Sequence, residues 1–369
     1  MIKGFQNPIQ LFKNMDITLV IVTMLLVIMG LSCIYSAGGG TQGIGFSLAL
    51  RQAFVMGISI CAMCIVLYVG YRRFYDWAYY LYFFSLFLLV LVLIIGLATK
   101  GAQSWLNLGP FRFQPSEFGK IAFALVLSKH LCRHSPSDPF GFWGTVILAS
   151  PSILLILLEP DLGSAAVYCF MLLIALVIAG GINRNLLILT GFGVAILPIG
   201  WHFLKEYQKL RLIVFLNPSL DPLGAGYNVI QSRIAVGSGG LLGKGYLQGM
   251  QSKLHFLPEP HTDFIFSVLA EEWGFVGGSL LIFLFSLLLW KIIRVGIKTK
   301  DIRAKIFVSA ISAWIWFQFA EGLAMSMGLS PVTGLPFPFI SYGGSSLMSL
   351  GIGMAFIISI QLSTVKQFR

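Results

Sequence analysis

The sequence predicts an all-α polytopic membrane protein of about ten transmembrane helices, with one long hydrophilic loop between the seventh and the eighth. Three observations carry this. Hydrophobic residues make up 57% of the 369-residue chain and charged residues 11%, where a soluble domain carries about 25% charge. The mean hydropathy is +0.86. Apolar runs of about 20 residues, enough to cross a bilayer core of about 30 Å, recur along the chain. Together they leave room for a single membrane domain over residues 1–369, with a loop at about 205–263.

The predicted spans are 17–35, 48–69, 77–98, 116–131, 142–158, 162–178, 186–204, 264–290, 306–327 and 345–360. The first is longer than a signal-peptide core and has no A-x-A cleavage site, so it reads as a retained span. The fourth carries charges at its start, and the eighth is interrupted by Glu271 and Glu272.

Charge sets the orientation. With the N-terminus in the cytoplasm, the inward segments hold Lys3 and Lys13, then Arg72 and Arg73, then Lys129 and Arg133, then Arg184. After the eighth span come Lys291, Arg294, Lys298, Lys300, Arg303 and Lys305, and at the end Lys366 and Arg369. Every short inward segment is basic, as the positive-inside rule requires, and an even number of spans puts both termini in the cytoplasm. The net charge of +11 is thus explained without nucleic acid, which the same charge would suggest in a soluble protein.

Cations remain on the outward side that orientation does not ask for: Arg51, Lys100, Arg112, Lys120, Lys205, Lys209, Arg211, Arg233, Lys244 and Lys253. Either they serve an anionic ligand at that face, or they are solvated loop charges paired with Glu206, Asp221 and Glu259. The loop at 205–263 is far longer than ordinary connections. Its apolar half (Ile213, Val214, Phe215, Ile230, Ile234, Val236, Phe256, Leu257) argues for order, in the form of short amphipathic helices lying on the membrane surface.

Polar residues at membrane depth are costly and default to function. Glu117 and Lys120 open the fourth helix after Pro115 and share a face at i, i+3; they form either a structural ion pair or the lining of an outward cavity. Asp161, in the short turn 159–163, is a cavity carboxylate or the cap of the next helix. Glu271 and Glu272 are adjacent and point in different directions, and the partner of Glu321 is not evident. The glycine-rich run 237–245 contains Lys244 but breaks the Walker A spacing, leaving a backbone nest for phosphate or a re-entrant turn. The Pro- and Gly-rich stretch 330–345, with Ser341, cannot be helical and reads as cavity wall. Asp263, where the long loop returns to the membrane, is a candidate base or the N-cap of the eighth span. His255 and His261 are too few for a zinc site. Cys33, Cys61, Cys64, Cys132 and Cys169 read mostly as small packing residues in apolar runs.

These segments, taken in order (101–106, 114–120, 160–163, 231–245, 256–272 and 330–346), resemble the SEDS family (shape, elongation, division and sporulation). The resemblance runs through nearly the whole chain, and the 243–249 and 251–254 segments are similar to the branch that serves cell elongation and rod shape. It implies a ten-helix peptidoglycan glycosyltransferase that polymerises lipid II on the outer face of the cytoplasmic membrane. The implied partners are a class B penicillin-binding protein and membrane proteins of the elongation machinery. The family's catalytic aspartate falls on Asp263, and its cavity carboxylate and lysine on Glu117 and Lys120. Arg51, Asp161 and Arg211 match further polar positions, and Lys244 and Ser341 lie in matching segments. Asp263 would deprotonate the sugar 4-hydroxyl, and Lys120, Arg211 or Arg51 would offset charge on the leaving pyrophosphate, with a divalent cation as a conceivable aid.

The chain departs from the family pattern twice: Glu159 stands where Gln is usual, and Gly322 stands where Asn is usual. A lipid-linked precursor flippase is the alternative function. It would favour internal inverted repeats and ionisable pairs at the midplane, and neither is evident.

Overall fold

The computed structural model describes residues 15–99, 102–109, 111–254 and 256–367. Lys3, Lys13, Lys100, Gly101, His255 and Arg369 lie outside the described residues, as does the side chain of Lys366. Each predicted span falls on a helix: α1 (Ile17–Ala37), α2 (Gly45–Val69), α4 (Ala78–Ile95), α5 (Pro115–Arg133), α6 (Pro139–Leu158), α7 (Leu162–Gly180), α8 (Arg184–Phe203), α12 (Ile265–Lys298), α13 (Ile302–Met327) and α14 (Gly344–Gln367). A short α3 (Tyr71–Asp76) links α2 to α4. Among the described residues, eight of these helices are long and apolar enough to cross a membrane. The exceptions are α5, which carries too many charges for its length, and α8, whose apolar stretch is shorter. The chain is a multi-pass helical membrane protein.

Two features of the connections differ from the sequence reading. Between α4 and α5 the chain forms a small antiparallel sheet, β1 (Leu97–Thr99), β2 (Ala102–Leu108) and β3 (Phe111–Phe113), in that order. Leu106 pairs with Phe113 and Gln103 with Ala98. Ser104 and Leu106 are buried while Asn107 is exposed, the period-two alternation of a half-covered strand. Gly109 turns the chain at φ 75°, a left-handed conformation that glycine adopts without penalty.

The long loop also differs. It contains α9 (Glu206–Leu216), a 3₁₀ turn (Pro218–Leu220), α10 (Ala225–Ser238) and α11 (Met250–Lys253). Rather than lying flat on a membrane surface, α10 packs against α12 and α13. Ser232, fully buried, hydrogen-bonds with the Ser267 hydroxyl at 2.7 Å and donates to the Ser326 carbonyl at 2.6 Å. Val229, Ser232 and Ala235 are buried at i, i+3 and i+6, a face the bundle covers.

The centre of the bundle is built by α5, α13 and α14. Trp314, Phe123, Phe307 and Phe356 are all below 2% exposed. The segment between α13 and α14 turns back into the protein: Leu335, Phe337, Phe339 and Ile340 are buried. The carbonyl of Phe339 lies so close to Gly30 on α1 that a Cβ there would meet it at 2.7 Å. Phe337 packs its ring among Phe266, Phe285 and Phe319. A Cβ at Gly322 would meet the Phe337 ring at 2.5 Å, which gives a physical reason for Gly at a position where the resemblance led to the expectation of Asn. At the opposite end, Lys291 on α12 pairs with Asp16, the N-cap of α1, at 2.9 Å.

The glycine-rich run 237–245 is neither an open phosphate nest nor a free turn. α12 is interrupted at Gly274 (φ 62°, ψ −158°), and the run fills the break. The N–H groups of Lys244 and Gly245 donate to the carbonyls of Glu271 and Glu272, and those of Phe275 and Val276 donate to the carbonyls of Gly240 and Leu241. Backbone groups freed by a broken membrane helix must be paired inside the protein, and here the loop supplies the partners. The two acids beside the break point apart: Glu271 pairs with Lys244 at 2.8 Å, and Glu272 accepts from Ser36 on α1. Glu321 accepts from the Ser330 hydroxyl at 3.0 Å.

Candidate active site

A cavity of about 520 Å3 opens where α12 begins, between α9, α10 and the turn before α12. Its polar lining includes Tyr207, Arg211, Asn228, Glu259 and Asp263, and its apolar walls include Leu210, Val214, Val229 and Phe264. The size and the few polar groups set in apolar walls suit a ligand site.

Local structure explains how Asp263 reaches this wall. Glu259 takes a left-handed φ of 48°, and its carbonyl accepts from the N–H groups of Thr262 and Phe264. The resulting turn is fastened to the segment before α14. The Ser341 hydroxyl donates to the Thr262 carbonyl at 2.5 Å and accepts from the Phe337 N–H at 3.0 Å. The Tyr342 N–H donates to the His261 carbonyl at 2.9 Å. α12 then starts at Ile265 with Phe264, whose own side chain makes no cap hydrogen bond, as its N-cap residue. Asp263 is therefore not the N-cap residue of α12. It stands one residue ahead, half-buried on the cavity wall.

Arg211 comes from α9. Tyr207, Leu210, Arg211 and Val214 recur at i, i+3, i+4 and i+7, one face of a helix, and all four line the cavity. Arg211 Nη1 donates to the Val332 carbonyl at 3.2 Å, and the guanidinium lies 5.5 Å from the Tyr207 ring centroid. Val332 also lines the cavity, so the 330–345 segment contributes wall there, while Ser341 acts from behind. The Tyr207 hydroxyl and Gln208 Nε2 both donate to the Pro160 carbonyl, anchoring α9 to the α6–α7 turn.

The other expected site residues are not on this wall. Glu117 and Lys120 form a fully buried ion pair at 2.6 Å, 1% and 0% exposed. The ammonium lies 5.0 Å from the centroid of a Trp314 ring on α13, and Ser349 of α14 donates to the second Glu117 oxygen at 3.3 Å. The sheet helps close this pocket, since Ser345 accepts from the Gln114 N–H and donates to the Arg112 carbonyl. Asp161 is the N-cap of α7, accepting from the Ser164 N–H at 2.9 Å and the Ser164 hydroxyl at 2.7 Å. It still feels the charges of Lys120 and Glu117. Lys244 is committed to Glu271. Arg51 is exposed on α2, next to Gln52, whose Nε2 donates to the Ser341 carbonyl at 3.4 Å.

Two of the acids near the α6–α7 turn are perturbed. Glu159 is fully buried, and among the described residues neither of its carboxyl oxygens has a hydrogen-bond partner. Burial, reinforced by the neighbouring Asp161 charge, pushes its carboxyl up to about 8. Burial also raises Asp161, opposed by the Ser164 hydrogen bonds and the Lys120 charge. Of the remaining outward cations, Lys209 pairs with Glu206 at 2.9 Å, and Arg233 donates to the Gly328 carbonyl at the end of α13. Among the described residues no group of three His, Cys, Asp or Glu side chains is placed to hold a metal ion.

Tyr207 and Asn228 were not singled out from the sequence. Tyr207 is recoverable from its i, i+4 relation to Arg211, whereas Asn228 has no sequence signal that separates it from other loop amides.

Fold and cavity together define a polytopic helical membrane protein with a carboxylate and a guanidinium on an apolar-walled cavity at one end of its bundle. The chain belongs to the FtsW/RodA/SpoVE family, whose model, described as cell cycle protein, matches residues 15–366. It is 38% identical to the peptidoglycan glycosyltransferase MrdB of Escherichia coli K12 over 94% of this chain and 93% of that protein. A chain from a solved peptidoglycan synthase complex, described as coordinating polymerization and crosslinking, superposes with a TM-score of 0.82 at 35% identity, covering 95% of this chain and 98% of that one. The crystal structure of the rod shape determining protein RodA of Thermus thermophilus gives a TM-score of 0.70 at 31% identity, covering 94% and 96%.

Proposed function

We propose that this chain is a peptidoglycan glycosyltransferase that polymerises lipid II at the outer face of the cytoplasmic membrane for cell elongation and rod shape, with Asp263 as general base. The observation that carries the residue assignment is the position of Asp263 outside the helix cap, on the wall of the cavity that also holds Arg211. The relatives' activity supplies the reaction class.

Asp263 takes the proton from the 4-hydroxyl of the acceptor sugar as that oxygen bonds to the anomeric carbon of the donor. The bond from that carbon to the pyrophosphate oxygen breaks, and polyprenyl pyrophosphate leaves. A planar guanidinium suits pyrophosphate oxygens, so Arg211 offsets the charge that grows on the leaving group. Ser341 holds the Asp263 turn in register and touches no substrate. Both termini lie in the cytoplasm, and the partner is a class B penicillin-binding protein, in line with the likeness to a synthase complex.

The test is purified protein with its transpeptidase partner, labelled lipid II and separation of glycan products. Wild type forms polymer, and Asp263→Ala forms it about 10²–10⁴-fold more slowly while remaining folded. Undiminished polymerisation by Asp263→Ala would overturn the base assignment. Translocation of lipid without polymer would replace the enzyme by a flippase.

A further inference from the structure

A second cavity, of about 490 Å3, lies far along the chain's helices from the first. α7 and α12 each pack along α13, and they leave a slot between them. Phe170 and Ile178 form one side, Ile293 and Gly296 the other, and Trp316 the deep end, where its ring stacks on Phe170 at 5.3 Å. The slot opens sideways out of the bundle: Ile178, Ile293 and Trp316 are 44%, 48% and 47% exposed. Gly296 keeps it open beside Val308, whose Cγ1 would lie 3.3 Å from an added Cβ.

One residue breaks the apolar lining. Among the described residues, Lys305 is the only charged group on the slot, and it is half-buried. Among the described residues it has no carboxylate partner, whereas Lys291 and Arg303 of the same basic end are paired with Asp16 and Asp301. Lys305, Ser309, Ser312 and Trp316 follow at i, i+4, i+7 and i+11 on α13, one stripe along the slot. Eleven residues of helix rise about 16 Å, close to half of a hydrocarbon core of about 30 Å. The slot thus has an unpaired cation at its mouth, hydroxyls below it and an apolar channel one leaflet deep. That is the profile of a lipid with an anionic headgroup.

We propose that this slot is a binding site for an anionic glycerophospholipid of the leaflet at the basic end of the bundle, with its phosphate on Lys305 and an acyl chain between α7 and α12. Nothing in the catalytic assignment is needed for it. The exposed Lys298 at the end of α12 and Lys300 in the connection after it add long-range attraction, but among the described cations only Lys305 lines the slot.

Native mass spectrometry of the full chain in detergent tests the site, with phosphatidylglycerol, phosphatidylcholine of the same acyl chains, and a polyprenyl phosphate as probes. Phosphatidylglycerol is retained about five-fold better than phosphatidylcholine, the scale of one lysine at an anionic headgroup. Lys305→Ala removes that preference and leaves phosphatidylcholine retention as it was. Ser309→Trp, which fills the slot, lowers retention of both lipids, with size-exclusion behaviour as the control on folding. Equal retention of the two phospholipids by wild type would mean non-selective boundary lipid and overturn the proposal. So would a preference that survives Lys305→Ala, or displacement of phosphatidylglycerol by an equal concentration of the polyprenyl phosphate.

Discussion

The bundle holds two clusters of acid and cation close to the same end, and they differ in access to water. Asp263, Glu259 and Arg211 line an open cavity. Glu117, Lys120 and Glu159 are sealed, none more than 1% exposed, under the small sheet and against Trp314 and Ser349. A sealed ion pair carries a large desolvation cost and holds its neighbours in place; it cannot meet a sugar or a pyrophosphate without the structure opening. An accessible carboxylate in an apolar-walled cavity can. Residue types alone make the two clusters look alike, and burial separates them: one is sealed and the other lines a cavity.

The strongest test of that contrast is Asp263→Ala, which lowers polymerisation by about 10²–10⁴-fold, the range for losing a general base, without changing the melting temperature. Lys120→Ala should do the reverse in kind. It leaves Glu117 buried and unpaired and costs about 3–5 kcal/mol of stability, read as a lower melting temperature and loss of folded protein on size exclusion. Replacing both partners, Glu117→Met with Lys120→Met, restores much of that loss. If Lys120→Ala instead stayed fully folded and stopped polymerising, the sealed cluster would belong to the active site and the contrast would fail.

Arg211→Ala comes next, with turnover reduced about 10²-fold, as for removal of one group that stabilises developing charge. The Val332 and Tyr207 contacts it gives up make a small stability loss a secondary effect. Ser341→Ala removes the hydroxyl that joins Thr262 to Phe337, costing about 1 kcal/mol. Its turnover falls while the pH profile keeps its shape, because the base itself is unchanged.

A pH-dependent effect on stability, with none expected on the contrast in turnover, concerns Glu159. Its carboxyl is raised from 4.5 to about 8 by burial and by Asp161. A raised acid favours the folded state when protonated, so its contribution is complete below about pH 4.5 and lost as pH rises through about 8. Glu159→Gln cannot ionise. Its melting temperature should match wild type near pH 5 and exceed it by a few degrees at pH 8.5; a constant difference across that range would mean that Glu159 does not titrate there.

Much of the membrane architecture was legible in the chain. Apolar runs of bilayer length have little choice but to form helices, because lipid offers backbone groups no partners. All ten predicted spans therefore fall on helices, including the charged α5 and the weakly apolar α8. The sheet between α4 and α5 was missed, although Ser104 and Leu106 alternate with Gln103 and Asn107 and Gly109 marks the turn. Its strands are short, and their pairing joins residues whose contact no local pattern announces. The site was half legible. Asp263 and Arg211 were singled out and share a cavity, whereas Glu117, Lys120 and Asp161, grouped with them through the family resemblance, lie off its wall.

The sequence by itself determined the solvent of this protein, the helices that solvent demands, the basic segments of its connections and the family to which it belongs. The first three follow from composition and periodicity, which act locally; the family follows from motifs met in order along the chain. Only the tertiary structure decided that Asp263 stands ahead of a helix cap, that Lys120 is sealed and Arg211 open, and that a glycine-rich run repairs a broken helix. Those outcomes depend on which distant segments come to lie against each other: the 330–345 stretch against the Asp263 turn, α14 against Glu117, and residues 240–245 against Gly274. Burial and hydrogen-bond partnership are properties of that assembly, and no single segment carries them.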